Sequence, residues 1–240
     1  MDENNLMLDL QNISYAYPNH GRVLENLQFR LREGEKVGLI GPNGSGKSTF
    51  LHIVMGLLHP DSGTIRILGQ PIQTEQDFRK VRPKVGFLFQ NADDQLFSPT
   101  VLEDVAFGPL NLGKTPQEAK EISLKTLEAL NLKGFEDRIT YKLSGGEKKL
   151  VSLATVLVME PRVLLLDEPT TGLDETINER IISILNDLDI SMVIVSHEYE
   201  FLTQTTQDIY CIQCGEIAYN CKSSHFQLPR FINGKGRLET

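Results

Sequence analysis

The strongest chemical signal in the chain is Gly41-Pro42-Asn43-Gly44-Ser45-Gly46-Lys47-Ser48-Thr49. It fits Gly, four residues, Gly-Lys-Ser/Thr in full, between the apolar run VGLI and the helix-like run TFLHIVMGLL. That strand-then-helix context is what the pattern requires. Glycines let backbone N–H groups close around a β-phosphate. Lys47 brings a cation to the β- and γ-phosphates, and the Ser48 hydroxyl can ligate Mg²⁺. The stretch predicts a nucleoside triphosphate site; the plainer alternative is a glycine turn before a helix.

Asp167 and Glu168 follow Val163-Leu164-Leu165-Leu166, and ligands of open α/β sheets sit at the carboxyl ends of such strands. Two adjacent carboxylates there can divide the work. Asp167 would reach Mg²⁺ through water, and Glu168 would orient or deprotonate an attacking water. A solvated acidic strand end is the competing reading. His197 ends SMVIVSH and Gln90 ends VGFLFQ, both at strand ends of the same kind. Alone, such a histidine is more often structural than catalytic. Beside a nucleotide site His197 reads as a γ-phosphate sensor, and Gln90 as a contact to Mg²⁺ or the attacking water.

A second phosphate cradle stands at Leu143-Ser144-Gly145-Gly146-Glu147. Ser144 and Glu147 have capping-box spacing, and the helix they open presents N–H groups that favour an anion. One triphosphate needs one cradle, so the economical reading is that LSGGE serves the nucleotide of another copy. Two chains packed head to tail under two-fold symmetry would then complete two sites. A bare capping box is the alternative.

The elements that must hold these groups read as α/β. LMLDLQNISYAY, VLENLQFRL and KVGLIG are strand-like. Thr115-Pro116-Gln117-Glu118 is a capping box with proline at the first helical position, and opens a helix to about Leu130. The helix after Ser144 carries Leu150, Leu153, Ala154 and Leu157 on one stripe. VLLLD and SMVIVSH read as central strands buried on both faces, with a helix from about Glu175 to Leu188 between them. A helical insertion is expected over roughly residues 91–155.

Composition sets outer limits. With 240 residues, 40% hydrophobic and 23% charged, the chain has the make-up of a soluble globular protein with an ample core. A net charge of −8 argues against nucleic acid or bare anionic lipid as the main partner. MDENNLML does not read as a signal peptide, and no apolar run approaches a membrane span, so a membrane role would need a protein partner. Cys211, Cys214 and Cys221 fit a reducing compartment. IYCIQCGEIAY reads as two short strands turning at Gly215 rather than as a metal site.

Taken in order, the lysine loop, Gln90, LSGGE, LLLDEPTTGLD and His197 resemble the nucleotide-binding subunit of ABC (ATP-binding cassette) transporters over essentially the whole chain. The resemblance implies a P-loop NTPase (RecA-like) α/β core with an N-terminal antiparallel β subdomain and an inserted α-helical subdomain. On this sequence that is one ATPase domain over 6–239: core 6–90 and 156–220, helical subdomain 91–155 and a short extension 221–240. It further implies that ATP and Mg²⁺ are the cofactors and that Tyr17 stacks on adenine, with Tyr15 the second choice. Gln90 becomes the Q-loop glutamine, and Asp174 in Thr171-Gly172-Leu173-Asp174 belongs to the D-loop at the dimer interface. Ser144, Gly145, Gly146 and Glu147 would complete the opposite subunit's site.

NADDQLF at 91–97, DVAFGP at 104–109 and NLG at 111–113 resemble the ATPases of energy-coupling-factor transporters, among them cobalt, nickel and vitamin importers. That implies a homodimer or a heterodimer with a related ATPase at the cytoplasmic face of the cell membrane, with a transmembrane subunit docking near residues 90–113. It implies neither a span of its own nor nucleic acid. Glu147 departs from the usual glutamine of the signature, and Lys149 and Leu150 from the usual Gln or Arg and Arg. Ala92 replaces a commoner proline. A carboxylate near a triphosphate costs electrostatically unless it is tied to the helix start. The competing readings are another class of transporter ATPase, a soluble non-transport relative, and a nucleotide-gated module that does not hydrolyse. Glu168 and His197 speak against the last.

Overall fold

The computed structural model describes residues 5–18 and 21–225. In chain order the strands and helices are β1 (Leu6–Tyr17), β2 (Gly21–Arg32), β3 (Lys36–Ile40), α1 (Lys47–Val54), β4 (Ser62–Ile67), β5 (Gln70–Ile72), α2 (Glu75–Val81), β6 (Val85–Leu88), α3 (Val101–Asn111) and α4 (Pro116–Ala129). Then come α5 (Gly145–Leu157), β7 (Val163–Asp167), α6 (Glu175–Asp187), β8 (Ser191–Val195), α7 (Tyr199–Thr205), β9 (Asp208–Gln213) and β10 (Glu216–Lys222). They form two compact units, one of residues up to Val81 with those from Ser191 onward, the other of Arg82 to Ile190.

The first unit contains an antiparallel sheet in the order β2-β1-β4-β5. Along β2, Leu27, Phe29 and Leu31 are buried while Gln28, Arg30 and Arg32 are exposed, the period-two pattern of a sheet with one wet face. Phe29 packs edge-on against Phe50 of α1 at 4.9 Å and against Tyr210 of β9 at 5.5 Å. In the same unit β3 lies between parallel neighbours β8 and β9, with β10 antiparallel on β9. The runs VGLI and MVIV are buried throughout, as strands covered on both faces must be. Because Leu39 pairs with Val195, the lysine loop after β3 and His197 after β8 leave the same carboxyl edge.

In the second unit β6 runs parallel to β7, pairing Leu88 with Leu166. Gln90 and the Asp167–Glu168 pair therefore also leave one carboxyl edge. Helices α3, α4 and α5 pack on one another. Helix α4 starts with the expected capping box and proline, α5 lies where its stripe places it, and α6 fills the span expected between β7 and β8. The turn of β9 and β10 falls at Cys214–Gly215, both with positive φ; Cys211 is buried, Cys214 exposed, and all three cysteines are free. Among the described residues no helix is long and apolar enough to cross a membrane.

Candidate functional site

The lysine loop is shaped by backbone that only glycine adopts without strain. Gly46 sits at φ 105° as the N-cap of α1, where a Cβ would come within 2.5 Å of Leu24. At Gly41, φ 153°, a Cβ would run into the Ile212 carbonyl and lie 2.7 Å from Ser45 Oγ. No side chain caps the first turn of α1, so its leading N–H groups face the loop. Lys47 is buried and folds back across the loop, its Nζ donating to Gly41 O at 2.8 Å and Pro42 O at 3.2 Å. Ser45 Oγ is buried with no hydrogen-bond partner, while Ser48 is exposed beside it. A cradle of close-approach glycines, a held ammonium, a buried orphan hydroxyl and a free hydroxyl fits a Mg²⁺-bound triphosphate.

Tyr17 is half-buried, and its hydroxyl lies 3.2 Å from Thr49 Oγ1 of α1. Tyr15 meets it edge-on at 4.9 Å but is itself buried, and burial raises its phenol above the ordinary value. Of the two rings, Tyr17 is the one with a face available beside the loop. His197 is exposed after β8, on a turn where Ser196 Oγ accepts the Glu198 N–H.

In the second unit β7 delivers Asp167 and Glu168, both only 6% exposed. Glu168 holds φ 47°, a left-handed conformation that costs a non-glycine residue about 1–2 kcal/mol. The Thr171 hydroxyl donates to its Oε2 at 3.1 Å. Glu168 is thus a buried carboxylate held in strained backbone at a strand end, not a solvated acid. Gln90 is exposed, two residues beyond β6.

Ser144 caps α5: its Oγ accepts the Glu147 N–H at 3.3 Å, and Glu147 Oε2 accepts the Ser144 N–H at 2.8 Å. Arg138 adds an ion pair to Glu147 Oε1 at 2.7 Å while stacking on Phe135. The Ser144 backbone bond first, and the arginine after it, hold the Glu147 carboxyl below its ordinary range. The unusual glutamate of this signature is thus tied to the helix start and also charge-compensated. Asp174 caps α6, its Oδ1 accepting the Ile177 N–H at 3.0 Å.

Sequence reading passed over Arg138 and noted Lys149 only as a departure from the usual signature residues. Arg138 gave no signal, because a nine-residue spacing to Glu147 matches no helix or strand period. Lys149 was legible: it shares a helical stripe with Leu153 and Val156, and a lysine on an apolar stripe is unusual. Its Nζ donates to Phe89 O at 3.0 Å and Gln90 O at 2.7 Å. Burial pushes the ammonium down to about 8, opposed by the nearby charges of Asp167 and Glu168.

A glycine loop between strand and helix in one unit, and in the other a carboxylate pair at a parallel strand end beside a capped LSGGE helix, define a P-loop ATPase. Comparison with known proteins narrows the class. The family described as ABC transporter matches residues 24–171, and the chain belongs to that family. A putative ABC transporter ATP-binding protein of Nitratidesulfovibrio vulgaris is 48% identical over 92% of this chain and 80% of its own length. The energy-coupling factor transporter ATP-binding protein EcfA of Methanothermobacter thermautotrophicus is 45% identical over 88% of this chain and 69% of its own. Among solved structures, CbiO1 of Clostridium perfringens, described as part of the ABC transporter complex CbiONQ, superposes with TM-score 0.82 at 31% identity, covering 92% of this chain and 90% of that one. A dimeric ATP-binding cassette in a post-hydrolysis state with ADP and Pi also superposes at 0.82, with 28% identity, over 92% of this chain and all of that one. The chain is therefore the ATP-binding, ATP-hydrolysing cassette of a transporter, and its relatives imply transmembrane partner components.

Proposed function

We propose that the chain powers a membrane importer of the energy-coupling-factor type, carrying cobalt, nickel or a vitamin, as a homodimer or a heterodimer with a related ATPase on the cytoplasmic face of the membrane. The observation that carries this reading is the apolar surface that follows Gln90. Phe97 and Phe107 are 66% and 47% exposed, yet their rings are held edge to face at 4.8 Å, and Leu110 and Leu112 at the end of α3 are exposed as well. An exposed apolar cluster of this kind marks a docking site. Asp104 fixes it from below: the carboxylate is buried, and its Oδ1 accepts the N–H groups of Phe97 and Ser98 at 3.1 and 2.9 Å. The relatives named EcfA support an energy-coupling-factor partner for this surface.

The residues take the following roles. Tyr17 stacks on adenine, residues 41–49 wrap the phosphates, and Lys47 bears on the β- and γ-phosphates. Ser48, Gln90 and, through water, Asp167 would hold Mg²⁺, which when bound would supply charge neutralisation at the phosphate oxygens. Glu168 orients the attacking water and accepts its proton, and His197 contacts the γ-phosphate. Ser144, Gly145, Gly146, Glu147 and Asp174 act on the ATP of the other copy. Of the single ATPase domain expected over 6–239, residues 226–239 lie outside the described residues, and 91–155 form the helical subdomain that receives the membrane partner.

Two outcomes test this. Tagged chain drawn from native membranes in mild detergent is expected to bring a multi-helix membrane protein at about half its molar amount, as one partner per dimer requires. Changing Phe97 and Phe107 together to Ser is expected to remove that protein while leaving ATP hydrolysis by the isolated chain intact. Recovery only from the soluble fraction, or with ribosomes, would contradict the importer reading. Arg138→Ala strips the compensating charge from Glu147 and is expected to raise the apparent KM for ATP by about three- to fivefold, since a half-exposed pair is worth about 1 kcal/mol or less. Adding Glu147→Gln should restore it.

A further inference from the structure

We propose that Lys149 is a positioning residue that straps Gln90 to the LSGGE helix and keeps both in register with Asp167 and Glu168. Its side chain points inward from α5, in a stripe with Leu153 and Val156 that is at most 3% exposed. The ammonium donates to the two carbonyls that leave β6, Phe89 O and Gln90 O. Strand β7, the parallel neighbour of β6, ends at Asp167, and both carboxylates of the pair act on the ammonium through space.

A second tie runs the other way. Gln95 Oε1 accepts the Phe89 N–H at 3.2 Å, and its Nε2 donates to Ser152 O and Thr155 Oγ1 of α5, each at 2.9 Å. At the surface Lys148 pairs with Asp93 at 2.6 Å. Both backbone polar groups of Phe89 are therefore committed to α5 or to a side chain anchored on it. The segment from Phe89 to Gln95 cannot shift without moving the helix that carries the signature.

Packing alone does not explain the choice of residue. A methionine would fill the same stripe without the burial cost of an ammonium. What the charge adds is directional: two charge-assisted bonds to successive carbonyls, aimed from beside the carboxylate pair. The proposal rests on the roles given above to Gln90 and Glu168. Under those roles, a push of a membrane partner on the segment that follows Gln90 is passed to the signature helix, and the ammonium that passes it stands within the field of Asp167 and Glu168.

The test uses the full chain with Lys149→Met, Lys149→Leu, Lys149→Gln and Lys149→Arg. Its readouts are steady-state hydrolysis against ATP and Mg²⁺, thermal unfolding, and hydrogen exchange of residues 89–95 without nucleotide. Lys149→Met is expected to lower kcat about 10- to 100-fold, with the KM for ATP within about twofold, because a misplaced group impairs the chemical step and not the lysine loop. It is also expected to speed exchange over 89–95, and Lys149→Arg should recover part of both. Should Lys149→Met fail to fold, Lys149→Leu is judged by the same measures, while Lys149→Gln, whose amide can still donate to a carbonyl, should lose less than either. A kcat within twofold of the unaltered chain, unchanged exchange over 89–95, or losses of kcat, KM and melting temperature in parallel would overturn the proposal. Absence of ATPase activity in the unaltered chain would overturn the functional reading instead, and the exchange measurement would still judge the strap.

Discussion

Glu168→Gln is expected to lower ATP turnover by about 10²- to 10⁴-fold, the range a general base contributes, while ATP still binds within about twofold of the unaltered affinity. The substitution keeps the shape and the Thr171 hydrogen bond to Oε2, which an amide oxygen can also accept. It removes the one property an amide lacks, the capacity to accept a proton. The strained backbone at φ 47° is unchanged by it, so folding should be too. Single-turnover hydrolysis and nucleotide titration separate the two quantities. Equal loss of binding and turnover would assign Glu168 to holding ligand rather than to the chemical step.

Lys47→Met is expected to weaken nucleotide binding about 100-fold, close to the 2–3 kcal/mol that charge-assisted bonds to a triphosphate supply. The side chain is buried and its ammonium already lies across the loop at 2.8 Å from Gly41 O, so little reorganisation separates it from a phosphate. Methionine has nearly the same volume and leaves α1 packed, so the melting temperature should stay within a few degrees. Titration with a fluorescent ATP analogue reads the loss. Unchanged affinity would mean that the backbone cradle alone carries binding.

How much of this was legible in the sequence depended on whether the signal was local. The lysine loop, the capping boxes at Thr115 and Ser144 and the buried runs VGLI, VLLL and MVIV each state their structure within a dozen residues, and each formed as read. Strands β4 and β5 did not announce themselves. Only Ile65 and Ile67 are buried in SGTIRI and only Ile72 in QPI, too few to show a period, yet β4 pairs with the whole middle of β1. Pairing across about fifty residues decided them. The left-handed backbone of Glu168 is likewise a product of the strand end that holds it, not of the residue type. Lys149 shows the middle case: its place on an apolar stripe was visible as an anomaly, but its partners, two carbonyls sixty residues away, were not.

The most direct test of the central claim, that LSGGE of one copy completes the lysine-loop site of another, is the solution mass of the Glu168→Gln chain in saturating Mg-ATP by size exclusion with light scattering. The account predicts twice the monomer mass with ATP and the monomer mass without it. It predicts a return to monomer when Ser144→Arg is added, since that places a bulky side chain where the signature must meet phosphate, while the unaltered chain stays mostly monomeric because hydrolysis reopens it. A monomer throughout, or a dimer that forms regardless of Ser144, would contradict the shared site.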